Sequence, residues 1–375
     1  MSSPDASVDE SATVPENSAR LAAPRVRLTS AAPGDFAPLA RQIRESGLLR
    51  RRYDYYWPRL IALPVVYGLF FTAFVLLGDS WWQLGLAVLL ALIFAQTAFL
   101  GHDAAHRQIF RSDRWNSAAS LVIANLFIGM SYGWWQNRHT RHHQDPNKTG
   151  LDPDDEVPVI PFTRDRIAQQ RNPLLRWIMS NQGSLFFVVI MLEGISLHLS
   201  SIHRAFGRDR LQHRTFEITA LAIHHVAYLT IVFVVLSPLK AVLFLAVQVC
   251  LFGFLMGMAF APNHKGMPIV PKDMKLDFLR RQVMMSRNIR GSFLVDFMMG
   301  GLNYQIEHHL FPNMPRPHLR RAAPVVAAYC AERGVPYVET TAWQSYGIVR
   351  RYIDRVGLGE KDVFSCPVLD ERQAL

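Results

Sequence analysis

Histidines in this sequence fall into short groups whose spacing suits metal binding. HDAAH places His102 and His106 four residues apart, and HTRHH and QIEHH each present side chains at positions i, i+3 and i+4. Residues at these separations share one face of a helix, and neutral imidazole is the commonest metal ligand in proteins. With the histidine of APNHKG, these groups predict eight candidate ligands: His102, His106, His139, His142, His143, His264, His308 and His309.

Eight imidazoles exceed what one tetrahedral or octahedral ion can bind, so their number favours two ions. Ligand type alone does not select the metal, because imidazole binds zinc, copper, iron and nickel. A single catalytic zinc needs only three protein ligands, and we therefore favour a dinuclear redox site. The polar neighbours expected to orient the rings or hold a metal-bound water are Asp103, Asp145, Asn147, Asn263 and Glu307.

Four uncharged apolar stretches must position these groups. Each is about 20 residues long, which is the length that crosses the hydrocarbon core of a bilayer as a helix. The links within each pair are two or three residues long, so the stretches form two tight antiparallel hairpins. An even number of crossings then separates every histidine group from the next, which places all of them on one side. The predicted spans are 60–78, 81–100, 218–237 and 241–261.

Charge predicts which side this is. Residues 101–217 contain fourteen Lys and Arg residues, whereas the two outer links contain one, Lys240. Positive loops face the cytoplasm, so both termini and the histidine groups are expected there. Two weaker apolar stretches, Ser117–Gly133 and Leu185–Leu192, are too interrupted or too short to cross comfortably, and we interpret them as interfacial or buried helices.

The fold predicted is therefore an all-α integral membrane protein with four transmembrane helices and a cytosolic helical cap that carries a dimetal site. The cap comprises residues 101–217 and 262–357, within a membrane domain of residues 41–357. Residues 1–40 and 358–375 are expected to form tails, the first disordered. Residues 1–19 contain four acids and no Lys or Arg, unlike a signal peptide.

Composition excludes several other classes. The 375 residues are 50% hydrophobic and carry a net charge of +10, with the apolar residues bunched rather than dispersed. An ordinary soluble globule and a disordered chain are thereby excluded. Cys250, Cys330 and Cys366 have no paired spacing, which excludes a disulfide framework. The basic residues flank apolar stretches, so they indicate an anionic membrane surface and no nucleic-acid partner.

Six histidines lie outside the groups. His198, His203, His213 and His318 fall in basic or amphipathic segments and are interpreted as ordinary surface or packing residues. His224 and His225 lie inside the third predicted span, where ionisable groups often mark a functional site. Neutral histidines can also hydrogen-bond across helices, and we interpret this pair as structural, with its role left open.

At HDAAH, HTRHH and QIEHH the sequence resembles the integral-membrane fatty acid desaturases, and GLNYQIEHHLFP is similar to their front-end and bacterial acyl branch. The resemblance covers roughly residues 55–345. It implies an O₂-dependent enzyme that introduces a cis double bond into a long-chain acyl group. It also implies a non-haem di-iron centre, with the eight histidines as ligands of two iron ions. Gln305 stands where many relatives have a histidine, and it would be a distant ligand or a substrate-positioning group.

The resemblance also implies partners. The substrate would be a fatty acyl-CoA or an acyl-lipid in the bilayer, with an anionic head group attracted by the basic chain. No HPGG haem-domain sequence occurs, so electrons are expected from a separate donor, such as a ferredoxin with its NAD(P)H reductase. Apolar residues near the histidines could line an acyl tunnel, namely Phe127, Trp134, Trp135, Phe293, Phe297, Met298 and Met299.

Two other functions remain open. A membrane di-iron hydroxylase or ketolase would use the same ligands, although QxxHH followed by LFP favours the desaturase branch. A non-catalytic metal-binding membrane protein, such as a transporter component, would need ionisable residues near the bilayer midplane on several spans. The predicted spans carry them only at His224 and His225.

Overall fold

The computed structural model describes residues 35–156, 171–207 and 211–358, and these residues are mostly helical. Short 3₁₀ turns and one π-helical segment, Val122–Ile128, interrupt the α-helices. Two strands, β1 (Asn288–Ile289) and β2 (Glu339–Thr340), pair in parallel, with Asn288 opposite Glu339. The helices are α1 Phe36–Glu45, α2 Tyr53–Leu77, α3 Gln83–Ala105, α4 Asp113–Leu121, α5 Tyr132–Gln144, α6 Pro173–Ser180, α7 Gln182–Val189, α8 Glu193–Phe206, α9 Arg214–Val235, α10 Pro238–His264, α11 Phe278–Met284, α12 Phe293–Met298, α13 Gln305–Leu310, α14 Arg316–Glu332 and α15 Ala342–Leu358.

Two helical hairpins form the apolar body, as predicted. Helices α2 and α3 are joined by residues 78–82, and α9 and α10 by residues 236–237. Helices α3 and α10 extend beyond the predicted apolar stretches, so that their last turns include His102 and His264. The hairpins therefore deliver histidines directly from the ends of membrane-length helices.

A polar contact joins the two hairpins at their turns. The carboxylate of Asp79 accepts hydrogen bonds from the backbone amide and the hydroxyl of Ser237, at 2.9 and 3.0 Å. The ammonium group of Lys240 lies 3.1 Å from the same carboxylate. Lys240, the one Lys or Arg residue in the two outer links, thus pairs with Asp79 in the other hairpin. This contact aligns the two hairpins.

The structure contains more membrane-length helices than the four predicted. Residues Leu185–Phe206 form a further continuous apolar segment of 22 residues, so five helices are long and apolar enough to cross a membrane. A sixth candidate consists of Asp113–Ile128 and Tyr132–Gln144, which are bent by 115° at a short break. Length and composition therefore do not confirm a count of four, although the hairpin pairs are as predicted.

Close backbone packing explains why the helix continues past Leu192, where the sequence prediction ended the apolar stretch at Glu193. Gly194 of α8 and Gly253 of α10 lie in direct backbone contact, and Gly257 receives the side chain of Ile190. Small residues allow membrane helices to approach closely and gain dispersion energy. This contact stabilises α8 although the helix contains Glu193, an ionisable residue that by itself argues against a membrane helix.

The segment predicted as an N-terminal tail includes structured residues. Helix α1 begins at Phe36, and its Leu39 and Ile43 are fully buried in the cap. They pack in one cluster with Val326 and Cys330 of α14. The predicted tail, residues 1–40, therefore includes the first residues of helix α1 and is too long. Residues 1–34 and 359–375 lie outside the described residues.

The glycine contact predicts a position-specific loss of stability. A Cβ at Gly253 would overlap the backbone of Gly194 and Met191, whereas a Cβ at Gly68 of α2 meets nothing within 4 Å. We expect Gly253→Ala to destabilise the fold by about 1–3 kcal/mol through overpacking. Gly68→Ala, the matched control, should be neutral or slightly stabilising because Ala favours the helix. Thermal unfolding in detergent measures both, and equal midpoints would contradict the packing described.

Candidate metal centre

Helix ends bring the histidine groups together. His102 lies in the last turn of α3, His142 and His143 in the last turn of α5, and His264 at the end of α10. His308 and His309 lie on the short α13, which is buried along its whole length. All eight predicted ligands converge on one site, and they form two clusters there.

The first cluster contains His102, His106, His139 and His308, whose potential ligand nitrogens all lie within 4.8 Å of one another. The Nε2 atoms of His106 and His139 are 2.7 Å apart. Four imidazoles that present nitrogens to one small volume form a donor set suited to a transition metal.

The second cluster contains His142, His264 and His309, all buried, with ligand nitrogens within the same 4.8 Å limit. The Nε2 atoms of His142 and His264 are 3.3 Å apart. Three imidazoles leave room for a further ligand. Two separate clusters support the prediction of two ions.

His143 lies between the clusters. Its Nε2 is 3.1 Å from Nε2 of His139 and 3.1 Å from Nε2 of His308, both in the first cluster. Its ring also stacks on that of His309, with centroids 4.2 Å apart. This histidine could complete the first cluster while packing against the second.

Gln305 lies in the second cluster, at the position where the resemblance implied a histidine. Its amide nitrogen is 2.9 Å from Nε2 of His264, and its amide oxygen accepts a hydrogen bond from Asn263 at 3.3 Å. Asn263 is fully buried and also donates to the backbone oxygens of Ala259 and Leu302. Gln305 therefore positions His264 in this structure, and Asn263 positions Gln305.

The electrostatics of the site favour metal binding. Burial first, and then the neighbouring imidazoles, hold the pKa values of His106, His308 and His309 well below the usual histidine range. These rings are therefore neutral at physiological pH, the form that binds a metal. Nε2 of His102 and Nε2 of His309 are buried and have no hydrogen-bond partner among the described residues. A metal ion would satisfy such nitrogens, which otherwise cost free energy.

Three rings of the second cluster are anchored through Nδ1. His142 lies 3.1 Å from both carboxylate oxygens of Asp152, and His309 lies 2.9 Å from the amide oxygen of Gln282. His264 lies 3.0 Å from the backbone oxygen of Met285. A ring that donates Nδ1–H presents Nε2 as the lone pair, so these contacts select the tautomer that faces the cluster.

Two of these anchors were missed by the sequence analysis. Asp152 lies ten residues after His142, in the acidic segment DPDDE, and this excess of acids close behind a histidine group is the signal that could have identified it. Burial would raise the pKa of Asp152, but the imidazole of His142 outweighs this effect and lowers it. Gln282 lies on α11, far from any histidine in sequence, and only the tertiary structure reveals it.

The predicted ring partners have other roles. Asp103 lies 3.8 Å from Nδ1 of its neighbour His102 but forms an ion pair with Arg316 at 2.6 Å. Glu307 accepts hydrogen bonds from Asn288 and Tyr337, and burial raises its pKa to about 7.

The other two predicted partners contact no ring nitrogen. Asp145 pairs with Arg281 at 3.4 Å and with Lys148 at 3.6 Å. Asn147 donates to the backbone oxygen of His264 at 3.1 Å. Adjacency in sequence therefore identified a ring partner at Asp103, beside His102, but not at Asp145 or Asn147.

Three of the remaining histidines bind backbone atoms. His224 is 2.8 Å from the carbonyl oxygen of Leu126 in the π-helical segment, and His198 is 2.7 Å from that of Gly194. His318 is buried, contrary to its predicted surface setting, and lies 2.7 Å from the carbonyl oxygen of Leu48. These contacts support a structural interpretation.

The helix that carries HTRHH is anchored at its start. Ser131 caps α5 by accepting a hydrogen bond from the amide of Trp134, and its hydroxyl donates to the carboxylate of Glu217 at 2.5 Å. The same carboxylate accepts from the amide of Gly133 at 3.1 Å. A carboxylate at a helix N-terminus is stabilising, so α9 holds α5 in place through Glu217.

Two neighbouring cavities adjoin the clusters. The apolar cavity, of about 100 Å³, lies beside His102 and is walled by Ile128, Phe252 and Met256. The polar cavity, of about 150 Å³, is lined by His139, His142, His264 and Gln305, with Arg138 and Lys265. Four residues line both cavities, and the place where the cavities adjoin is called the neck here: Trp135, Glu193, Leu197 and Phe260.

The predicted tunnel residues are mostly wrong. Trp135 lines both cavities, and its ring stacks on that of His139 with centroids 4.4 Å apart. The other six residues line neither cavity: Phe293 and Phe297 are exposed, Met299 is in the core, and Phe127 lines a separate cavity beside His224. Proximity in sequence did not reveal the walls, since residues of α3, α5, α8 and α10 all contribute to them.

Comparison with known proteins supplies independent findings. The model of the family described as fatty acid desaturase matches residues 79–341. The acyl-lipid (9-3)-desaturase of Physcomitrium patens is 32% identical over 263 residues, which is 68% of this chain and 50% of that protein. The Delta(8)-fatty-acid desaturase of Helianthus annuus is 25% identical, covering 88% of this chain and 74% of that protein. The chain spans about half the length of the moss relative.

The two clusters predict separable metal losses. His106→Ala removes a ligand from the first cluster and His309→Ala one from the second, so each variant should retain about one metal ion where the unaltered protein holds two. Elemental analysis of protein purified without chelators measures this. His203→Ala, at an exposed histidine of α8, is the control and should retain both ions. Full metal content in either cluster variant would remove that residue from the ligand set.

The carboxylate behind His142 predicts a weaker effect. Asp152→Asn removes the charge that orients the ring, and such a change typically lowers metal affinity about 10–100-fold. Retention of metal against a competing chelator is the measurement. Asp145→Asn alters an acid that contacts Arg281 and Lys148 but no ring, and it should behave as the unaltered protein. Equal retention by both variants would show that Asp152 does not support the site.

Proposed function

The chain belongs to the fatty acid desaturase family, and from that premise we propose that it is an O₂-dependent di-iron enzyme. It introduces a cis double bond into a long-chain acyl group carried as an acyl-CoA or an acyl-lipid. The observation that supports this most is the position of the two imidazole clusters beside two neighbouring cavities. His102 lines the cavity with apolar walls, and His139, His142 and His264 line the polar one. An acyl chain that occupied both cavities would pass the metals.

We propose that the eight histidines hold two iron ions. His102, His106, His139, His143 and His308 would hold one, and His142, His264 and His309 the other. Gln305, whose amide nitrogen lies 2.9 Å from Nε2 of His264, would lie beside the second ion as a distant ligand or a substrate-positioning group. When bound, the irons would supply the oxidising chemistry in which O₂, two electrons and two protons combine with two hydrogens removed from the chain to form two water molecules.

The residues of this chain supply position and environment. Low pKa values keep rings such as those of His308 and His309 neutral and able to bind the ions. Trp135, stacked on His139, separates the apolar cavity from the polar one and would fix where an acyl chain bends past the metals. The walls of the apolar cavity exclude water from the reacting carbons, which protects the reaction from side products.

Polarity gives the substrate a direction. The polar cavity is lined by Arg138 and Lys265 and by Asp152, Asp154 and Glu193, whereas Phe252 and Met256 wall the apolar cavity. A polar head group would therefore lie toward the polar cavity and the methyl end of the chain in the apolar one.

We propose four membrane crossings, with both termini and the site in the cytoplasm. The segment Leu185–Phe206 would lie beside the site without crossing. Its Ile190 lines the cavity next to His264, and the hydroxyl of its Ser201 contacts the amide of Ser131 at the start of α5. Both Ile190 and Ser201 thus lie near elements that carry histidines. In a helix that crosses the membrane, the two ends would lie about 30 Å apart, on opposite sides of the hydrocarbon core. Electrons would come from a separate donor, such as a ferredoxin with its NAD(P)H reductase.

Lipid analysis tests the proposal. Expression in a host of simple acyl composition should yield a new product two mass units lighter than its precursor, with one cis double bond located by mass spectrometry. His308→Ala, which removes a buried cluster ligand, should give no product, while His203→Ala should match the unaltered protein. A product sixteen mass units heavier would instead assign a hydroxylase. No new lipid, despite full iron content, would overturn catalysis on acyl chains.

A further inference from the structure

The neck between the cavities contains one ionisable side chain. Trp135, Leu197 and Phe260 give it three apolar walls, and Glu193 is the fourth residue. Trp135 contacts rings of the first cluster, stacking on His139 and lying 5.6 Å from His102. The carboxyl of Glu193 therefore lies where a chain passing from one cavity to the other comes near the metal clusters.

Backbone packing fixes this carboxyl in place. The next residue, Gly194, is in direct contact with Gly253 of α10, and Ile190, one turn earlier, fills the space at Gly257. Helix α8 cannot rotate about its axis without breaking both contacts. Glu193 is consequently held toward the neck by the same packing that holds the helix.

No structural role accounts for an acid at this position. Glu193 forms no hydrogen bond or ion pair with the residues that the structure describes, and nearby Arg138 is paired with Asp154 at 3.1 Å. Glu193 lies in the first turn of α8, where an acid interacts favourably with the helix dipole, but that role does not require a position between apolar walls. A carboxyl group between apolar walls costs free energy unless it has a hydrogen-bond donor.

We propose that Glu193 is a specificity-determining residue that accepts a hydrogen bond from a hydroxyl group on the substrate chain. The inference rests on the proposed function, since it assumes that an acyl chain occupies the neck. It narrows the substrate class to long-chain lipids that carry a hydroxyl within a few carbons of the carbons facing the metals. A plain hydrocarbon chain leaves the carboxyl without a partner and is therefore bound less well.

Paired lipids provide the test. The iron-loaded protein is offered equimolar mixtures of a plain acyl lipid and one of equal length bearing a single hydroxyl, with the hydroxyl moved along the chain in a series. For at least one hydroxyl position we expect about tenfold or greater preference, because a hydrogen bond to a charged group discriminates on this scale. Glu193→Leu should abolish the preference, and Glu193→Gln should retain part of it through its amide oxygen.

Leu197→Ala is the matched control. It widens the same neck without changing its polarity, so it should affect the two lipids alike. An unaltered protein without preference at any hydroxyl position, or a Glu193→Leu variant that keeps the preference, would overturn the proposal.

Two readouts separate this inference from the proposed function. Products measure turnover, and native mass spectrometry measures which lipid remains bound to the protein. Preferential binding without any double bond would leave the role of Glu193 intact and remove the desaturase assignment. Desaturation of both lipids, without preference in binding or turnover, would remove the role of Glu193 and leave the desaturase assignment intact.

Discussion

The structure depends on one constraint: eight imidazoles must lie within a few ångströms of each other in a buried volume. Burial and mutual repulsion lower the pKa of seven of these rings, whereas at His142 burial is outweighed by the carboxylates of Asp152 and Asp154, which raise the pKa to about 9. Neutral rings with unpaired nitrogens, such as His102 and His309, are stabilised by metal ions. Every other feature serves this arrangement, from the hairpins that deliver His102 and His264 to the anchors that orient the rings.

Anchoring differs between the two clusters, and this asymmetry has chemical meaning. The second cluster has Asp152, Gln282 and a backbone carbonyl behind its three rings. The first cluster has more histidines, and its rings brace one another through contacts such as the one between His106 and His139. A carboxylate behind a ligand raises the basicity of that ligand. The metal affinity of the second cluster would therefore depend on the groups behind its rings, and that of the first cluster on the number of its histidines.

Close helix packing connects the site to the bilayer. The contact between Gly194 and Gly253 brings α8 against α10, and α8 contributes Glu193 and Leu197 to the neck beside the metals. Without this close contact between α8 and α10, the polar cavity would lose the wall that α8 supplies and would open to lipid. Packing of small residues thus determines the shape of the space in which an acyl chain would lie.

The sequence alone determined the elements and the candidate ligands, because both are local patterns: apolar stretches of bilayer length, tight links, and histidines three or four residues apart on helix faces. It therefore predicted the two hairpins and the meeting of all eight histidines. The tertiary structure decided which groups support them. Asp152 replaced Asp145 as a ring partner, Gln282 came from a distant helix, and Trp135 alone of seven aromatic and Met candidates lined the cavities. Contacts between residues far apart in the chain depend on how helices pack, and a periodic pattern within one helix does not contain that information.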